Sequence, residues 1–115
     1  MNANDHFFIL TFFHRHHHHY HHQHIISVAA HFETKFRAET VRKGHEARLK
    51  CEAIGDKPLT ITWMKDKMSF NVRDESRYEL TETATEDGVT SEVLIKTADR
   101  RDSALFTCVT FNSHG

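Results

Sequence analysis

Cys51 and Cys108 each fall at an inward position of a short strand-like run, and this restricts the fold more than any other feature of the chain. In "EARLKCEA", residues 46 to 53, charged residues alternate with Ala47, Leu49, Cys51 and Ala53. That is the period-2 pattern of a strand with one wet face and one buried face. "SALFTCVTF", residues 103 to 111, sends Ala104, Phe106 and Cys108 inward and Leu105, Thr107, Val109 and Phe111 outward. Between them, "LTITWMK" sets Leu59, Ile61 and Trp63 against Thr60, Thr62 and Met64. "RYELTE" puts Tyr78 and Leu80 on one face, "EDG" signals a hairpin, and "VTSEVLIK" gives Val93 and Ile95 as an inward pair. From His31 onward helical periodicity is slight, so the fold class is all-β. Two inward cysteines on distant strands, with Trp63 twelve residues after the first, match a two-sheet Greek-key sandwich stapled through its middle. Closing a loop of about 58 residues would contribute about 4 kcal/mol in the chain-entropy model. Two reduced cysteines packed as small apolar residues are the alternative at this point.

Composition changes sharply along the chain. Ten of the twelve histidines lie in residues 1 to 31, whereas the Lys, Arg, Asp and Glu are almost all later. The boundary is drawn at residue 30: a disordered His-rich tract over 1 to 30, and one folded domain over 31 to 115. Neutral imidazoles ligate zinc, nickel or copper, but adjacent histidines fix neither the number nor the angles of ligands, so no metal site is assigned. "FFILTFF" followed by "VAA" is a poor secretory signal, because no basic residue precedes the apolar run. Phe, Leu, Ile, Thr, His and Tyr have pyrimidine-rich codons, as does the stretch before a splice acceptor. The tract is therefore read as a candidate for non-native coding sequence.

"LKCEAIGDKPLTITWMK", "RYEL" and "VLIKTADRRDSALFTC" together resemble the intermediate-set (I-set) immunoglobulin domains of cell-surface adhesion proteins, over roughly residues 31 to 115. "KFRAETVRKG", "CEAIGDKP", "ESRYEL" and "DRRDSALFTC" are most similar to ectodomain repeats of the arthropod Down syndrome cell adhesion molecule (Dscam) family. The resemblance implies a Cys51–Cys108 disulfide and a core signature of Trp63, Leu49, Ala104 and Phe106. It also implies a salt bridge between Arg77 and Asp102. Two departures stand out. Phe106 replaces the tyrosine that the family places two residues before its second cysteine, removing a hydroxyl hydrogen bond of about 0.5 to 1.5 kcal/mol. The family's final strand would follow "NSHG", so the sandwich is read as truncated before that strand. An unpaired edge is then expected on the 103 to 111 strand, next to the segment near Thr40 and Val41.

Lys plus Arg number 15 against 16 Asp plus Glu, which gives no field to draw nucleic acid, and no apolar run has the roughly 20 residues of a membrane span. His45 and His114 sit in expected turns, and neither a nucleophile motif nor a phosphate loop occurs, so no enzyme, catalytic residue or cofactor is assigned. The resemblance implies a non-catalytic module in the extracellular part of a plasma-membrane receptor. Its partners would be proteins: a second copy in homophilic adhesion, or neighbouring immunoglobulin domains. Met64, Leu105, Val109 and Phe111 form the candidate contact face. The alternative is a structural spacer of an intracellular muscle scaffold, distinguished by the redox state of the cysteines.

Overall fold

The computed structural model describes residues 6–15, 28–33 and 36–113. Among the described residues, nine strands build two sheets: β1 (His6–Arg15), β2 (His31–Phe32), β3 (Phe36–Arg42), β4 (Ala47–Ile54), β5 (Thr60–Lys65), β6 (Met68–Ser69), β7 (Tyr78–Ala84), β8 (Gly88–Ile95) and β9 (Leu105–Phe111). One sheet runs β3-β1-β9-β5-β6 and the other β2-β4-β8-β7, with the apolar faces packed together as an immunoglobulin-like sandwich.

Alternation sets which side chains enter the core. Along β4, Ala47, Leu49, Cys51 and Ala53 are buried while Arg48, Lys50 and Glu52 face water. β8 pairs with β4 across its whole length and buries Ser91, Val93 and Ile95 at the same parity. β9 sends Phe106, Cys108 and Thr110 into the interior, with Ala104 just before it packed against the same core. The chain reverses between β5 and β6 with Asp66 and Lys67 both at positive φ, as a tight hairpin requires. That turn is tied to β9: the Asp66 N–H donates to the Leu105 carbonyl, and the Leu105 N–H donates to Asp66 Oδ1.

The expectation of disorder over 1 to 30 does not hold for His6–Arg15, which is a strand of the sandwich. Phe, Ile, Leu and Thr are strong strand formers, and "FFILTFF" is apolar on both faces of a pleat. Phe7, Ile9 and Thr11 are buried, while Phe8, Leu10, Phe12 and His14 alternate outward. β1 lies antiparallel to β3, with Phe7 opposite Val41 and Phe12 opposite Phe36, and parallel to β9, with Leu10 opposite Leu105 and Arg15 opposite Thr110. The edge expected to be bare on the 103 to 111 strand is therefore covered, because β9 lies between β1 and β5. Most of the histidine run, residues 16–27, and His114 lie outside the described residues.

Candidate functional site: stapled core, buried ion pair and apolar face

Cys51 on β4 and Cys108 on β9 are bonded across the two sheets, with their Cα atoms 6.5 Å apart, and both are fully buried. Trp63 is the register partner of Cys108 on β5, so its indole lies beside the staple. Its Nε1–H donates to the Ser91 hydroxyl on β8 at 3.0 Å, a second link between the sheets. A buried indole N–H needs an acceptor, and Ser91, the register partner of Cys51, supplies it. Sequence reasoning missed Ser91, although its parity with Val93 and Ile95 marked it as inward.

The Arg77–Asp102 pair forms, and its environment is more buried than a surface bridge. Asp102 closes a 3-10 turn, Arg100–Asp102, in which Asp99 caps the start and the Asp99 N–H donates to Asp102 Oδ2 at 2.9 Å. The fully buried Asp102 carboxylate accepts both Arg77 terminal nitrogens, at 2.7 and 3.2 Å, and the Tyr78 hydroxyl at 2.5 Å. Burial pushes the Asp102 carboxyl up. The bonds from Arg77, Tyr78 and the Asp99 backbone outweigh it and hold the group below the usual carboxylate range. The Tyr78 phenol is pushed well above its ordinary value by burial and by its bond to Asp102. Phe106 packs against Tyr78 at 6.4 Å between ring centroids. A tyrosine hydroxyl thus still reaches the core at this end of the sandwich, from Tyr78 on β7.

Asn112, the first residue of "NSHG" after β9, is buried. Its amide donates to the carbonyls of Val28 and Asp56, and its Oδ1 accepts the Ala30 N–H. It therefore pins the end of β9 to the segment entering β2.

Of the candidate contact residues, Met64, Leu105, Val109 and Phe111 are half-buried on the outer face of the five-stranded sheet, at the parity opposite Trp63 and Cys108. β1 and β3 widen that face. Phe8 is 63% exposed, Phe36 53% and Phe12 43%, and the Phe12 and Phe36 rings are 5.6 Å apart. The outward positions of β1, β3, β5 and β9 carry no carboxylate. By contrast, the other sheet's outer face is ionic, with Arg48–Glu92, Lys50–Glu52 and Lys96–Glu79 pairs. Phe8 and Phe12 were missed because the tract over 1 to 30 was read as disordered and given no facing, and Phe36 because it lies outside the runs of the domain that were assigned a face.

Among the described residues, no group of three or more His, Cys, Asp or Glu could hold a metal ion, and no helix is long and apolar enough to cross a membrane.

The immunoglobulin I-set domain model matches residues 30–115. The chain is 43% identical over 93 residues to the cell adhesion molecule Dscam1 of Drosophila melanogaster, covering 79% of this chain and 5% of that protein. It is 34% identical over 91 residues to the fly cell adhesion molecule Dscam2, covering 78% of this chain and 4% of that protein. A more distant likeness, 27% over 88 residues, is to the muscle M-line assembly protein unc-89 of Caenorhabditis elegans, covering 76% of this chain and 1% of that protein. With its stapled two-sheet sandwich and a family match over most of its length, this chain belongs to the immunoglobulin I-set family.

Proposed function

We propose that the chain is a non-catalytic recognition module of a cell-surface adhesion receptor, acting in homophilic cell–cell adhesion, axon guidance and neuronal self-recognition. The observation that carries this reading is the 43% identity to a cell adhesion molecule over most of the chain. The Cys51–Cys108 bond supports an extracellular place, because such staples persist where the surroundings are oxidising.

The contact surface is the outer face of the five-stranded sheet, formed by Met64, Leu105, Val109 and Phe111 and extended by Phe8, Leu10, Phe12 and Phe36. A largely apolar face, interrupted by threonines and His14 but with no carboxylate at its outward strand positions, is a surface that loses little by desolvation when a second copy or a neighbouring immunoglobulin domain packs on it. Phe111→Asp in the full receptor, read by cell aggregation, tests this. Aggregation should fall by at least about tenfold, the effect of 1.4 kcal/mol. Unchanged aggregation with normal surface expression refutes the face.

The likeness to unc-89 supports a second reading, a spacer module of an intracellular muscle scaffold. Thiol labelling of natural material separates the two: protected sulfurs favour the receptor, and free thiols at Cys51 and Cys108 favour the scaffold.

A further inference from the structure

Opposite charges gather at the two ends of the sandwich. β4 and β8 pair along their full length, with Ala47 opposite Ile95 and Ile54 opposite Gly88. The turns beyond them therefore lie about 25 Å apart. At one end the turn over 42 to 45 meets the segment leading into the 3-10 turn Arg100–Asp102: the Gly44 N–H donates to the Ala98 carbonyl at 2.7 Å, and the Ala98 N–H to the His45 carbonyl at 2.9 Å. Arg42, Lys43, Arg100 and Arg101 are exposed there. Asp99 is taken up by Arg101 at 2.7 Å, Asp102 by Arg77 at 2.7 Å and Glu46 by Arg48 at 3.9 Å. Arg42 and Lys43 are left without an ion pair among the described residues. At the other end the Gly55 N–H donates to the Asp87 carbonyl at 2.9 Å, joining two turns around a depression of about 360 Å³. Val28 and Ile54 line it with Asp56, Glu86 and Asp87. The cation on its rim, Lys57, donates to the Thr85 carbonyl, while Glu86 and Asp87 form no ion pair among the described residues.

Lys43 is placed to project. The His45 N–H donates to the Arg42 carbonyl at 3.0 Å, closing a four-residue turn, and Gly44 takes φ +89°, as the third position of a type II turn requires. No atom lies within 4 Å of where a Gly44 Cβ would stand, so the turn is clear of the rest of the fold. Its tip carries a flexible apolar stem with a charged head. The depression matches that side chain, because Val28 and Ile54 can receive the stem while Glu86 and Asp87 meet the ammonium.

We propose that the turn over 42 to 45 of one copy seats in the acidic depression of a second copy, end to end, with Lys43 meeting Glu86 and Asp87. A second copy is the occupant because the chain carries both charge-complementary halves, at ends too far apart to meet within one molecule. The contact is heterologous, so copies add in a row rather than closing as a pair. Exposed charge pairs each contribute little, which makes the contact weak, with a dissociation constant on the order of 1 mM. It gains when many copies are displayed together. It uses a surface separate from the outer face of the five-stranded sheet and does not depend on that face.

The test mixes the full chain with an isotope-labelled copy at about 1 mM. A water-soluble carbodiimide then joins lysine amines to neighbouring carboxylates as amides, with loss of water, and the digest is read by mass spectrometry. Peptides joining Lys43 of one copy to Glu86 or Asp87 of the other are expected. Raising the ionic strength from about 0.01 M to about 0.15 M shortens the screening length from about 30 Å to about 8 Å and should cut their yield at least about fivefold. Lys43→Glu with Arg100→Glu should abolish the coupling, and so should Glu86→Lys with Asp87→Lys. Mixing these two versions should restore it between position 43 and position 86 or 87 with amine and carboxylate exchanged, a site match that attraction between whole molecules does not give. All four positions are exposed turns, and an unchanged thermal melt shows that each version is folded. Couplings that bypass position 43, a yield indifferent to salt, or a mixture that fails to restore the link overturns the proposal. Association that survives both reversals and is lost with Phe111→Asp belongs to the apolar face and overturns it as well.

Discussion

Replacing Arg77 with methionine keeps most of the side-chain volume and removes the charge that meets Asp102. The carboxylate stays fully buried, losing hydrogen bonds at 2.7 and 3.2 Å while keeping those from the Tyr78 hydroxyl and the Asp99 N–H. Breaking a buried ion pair from one side costs about 3 to 5 kcal/mol. The two remaining donors put this case near the lower end, about 3 kcal/mol. For a domain of this size that lowers Tm by roughly 12 to 24 °C, at 4 to 8 °C per kcal/mol. Urea unfolding followed by Trp63 fluorescence measures it, with the slope expected to stay constant. Asp102→Asn provides the control, since it keeps the shape and lacks the charge; in that background the Arg77 change should cost less than about 1 kcal/mol. The pH dependence has a definite sign. Asp102 titrates below its unfolded value of about 3.9, so its contribution is fully present above that pH and is lost as pH falls through the lower folded value. The wild-type chain should therefore lose stability in acid more steeply than Asp102→Asn. An Arg77→Met cost below about 1 kcal/mol, or an equal cost in both backgrounds, would refute a buried, charge-dependent pair.

Ser91→Ala leaves the buried Trp63 N–H without its acceptor at 3.0 Å and should cost about 1 to 3 kcal/mol, measured by urea unfolding. Thr11→Val replaces a buried hydroxyl that has no partner among the described residues with a methyl of similar shape. It should raise stability by about 1 kcal/mol, seen as a Tm several degrees higher; a fall would mean that the hydroxyl is satisfied in solution.

The stapled half of the fold was legible because its signal is strictly local. Leu49 and Cys51 declare their side by alternating with charged neighbours, Trp63, Val93, Ile95, Phe106 and Cys108 keep the same period-2 spacing along short strands, and the structure buries each of them. What escaped lacks that contrast. "HFFILTFF" is apolar at odd and even positions alike, so period-2 reading assigns it no inner face, and the histidines beyond it pulled the whole tract into a compositional category. Its seat is also non-local, since β1 finds β9 some ninety residues away. The family resemblance implied the pairing of Arg77 with Asp102, but not the depth of the pair, which depends on where Tyr78, Phe106 and the Asp99 cap converge. Asn112 sits in a stretch whose composition reads as a turn, and only the entry path of residues 28–30 makes its amide a clamp.

β1 therefore joins two properties that the other strands keep apart. In β4 and β8 the inward residues are apolar apart from Ser91, whose hydroxyl meets the Trp63 N–H, and the outward ones are largely charged or polar, so core and solvent divide the pleat. β1 commits Phe7, Ile9 and Thr11 to the interior and shows Phe8, Leu10 and Phe12 to the outside. Single substitutions on this strand separate the two roles by parity. Ile9→Asp puts a carboxylate at a fully buried position and should unseat the strand. A loss of about 3 kcal/mol or more is expected, the scale of an uncompensated buried charge. Phe12→Asp, one pleat away on the outer side, should leave stability within about 1 kcal/mol while weakening any association through the face. Urea unfolding and equilibrium sedimentation of both variants decide the matter. If Phe12→Asp unfolds the chain as readily as Ile9→Asp does, the strand is not seated with the facing described, and the apolar face built on it loses its basis.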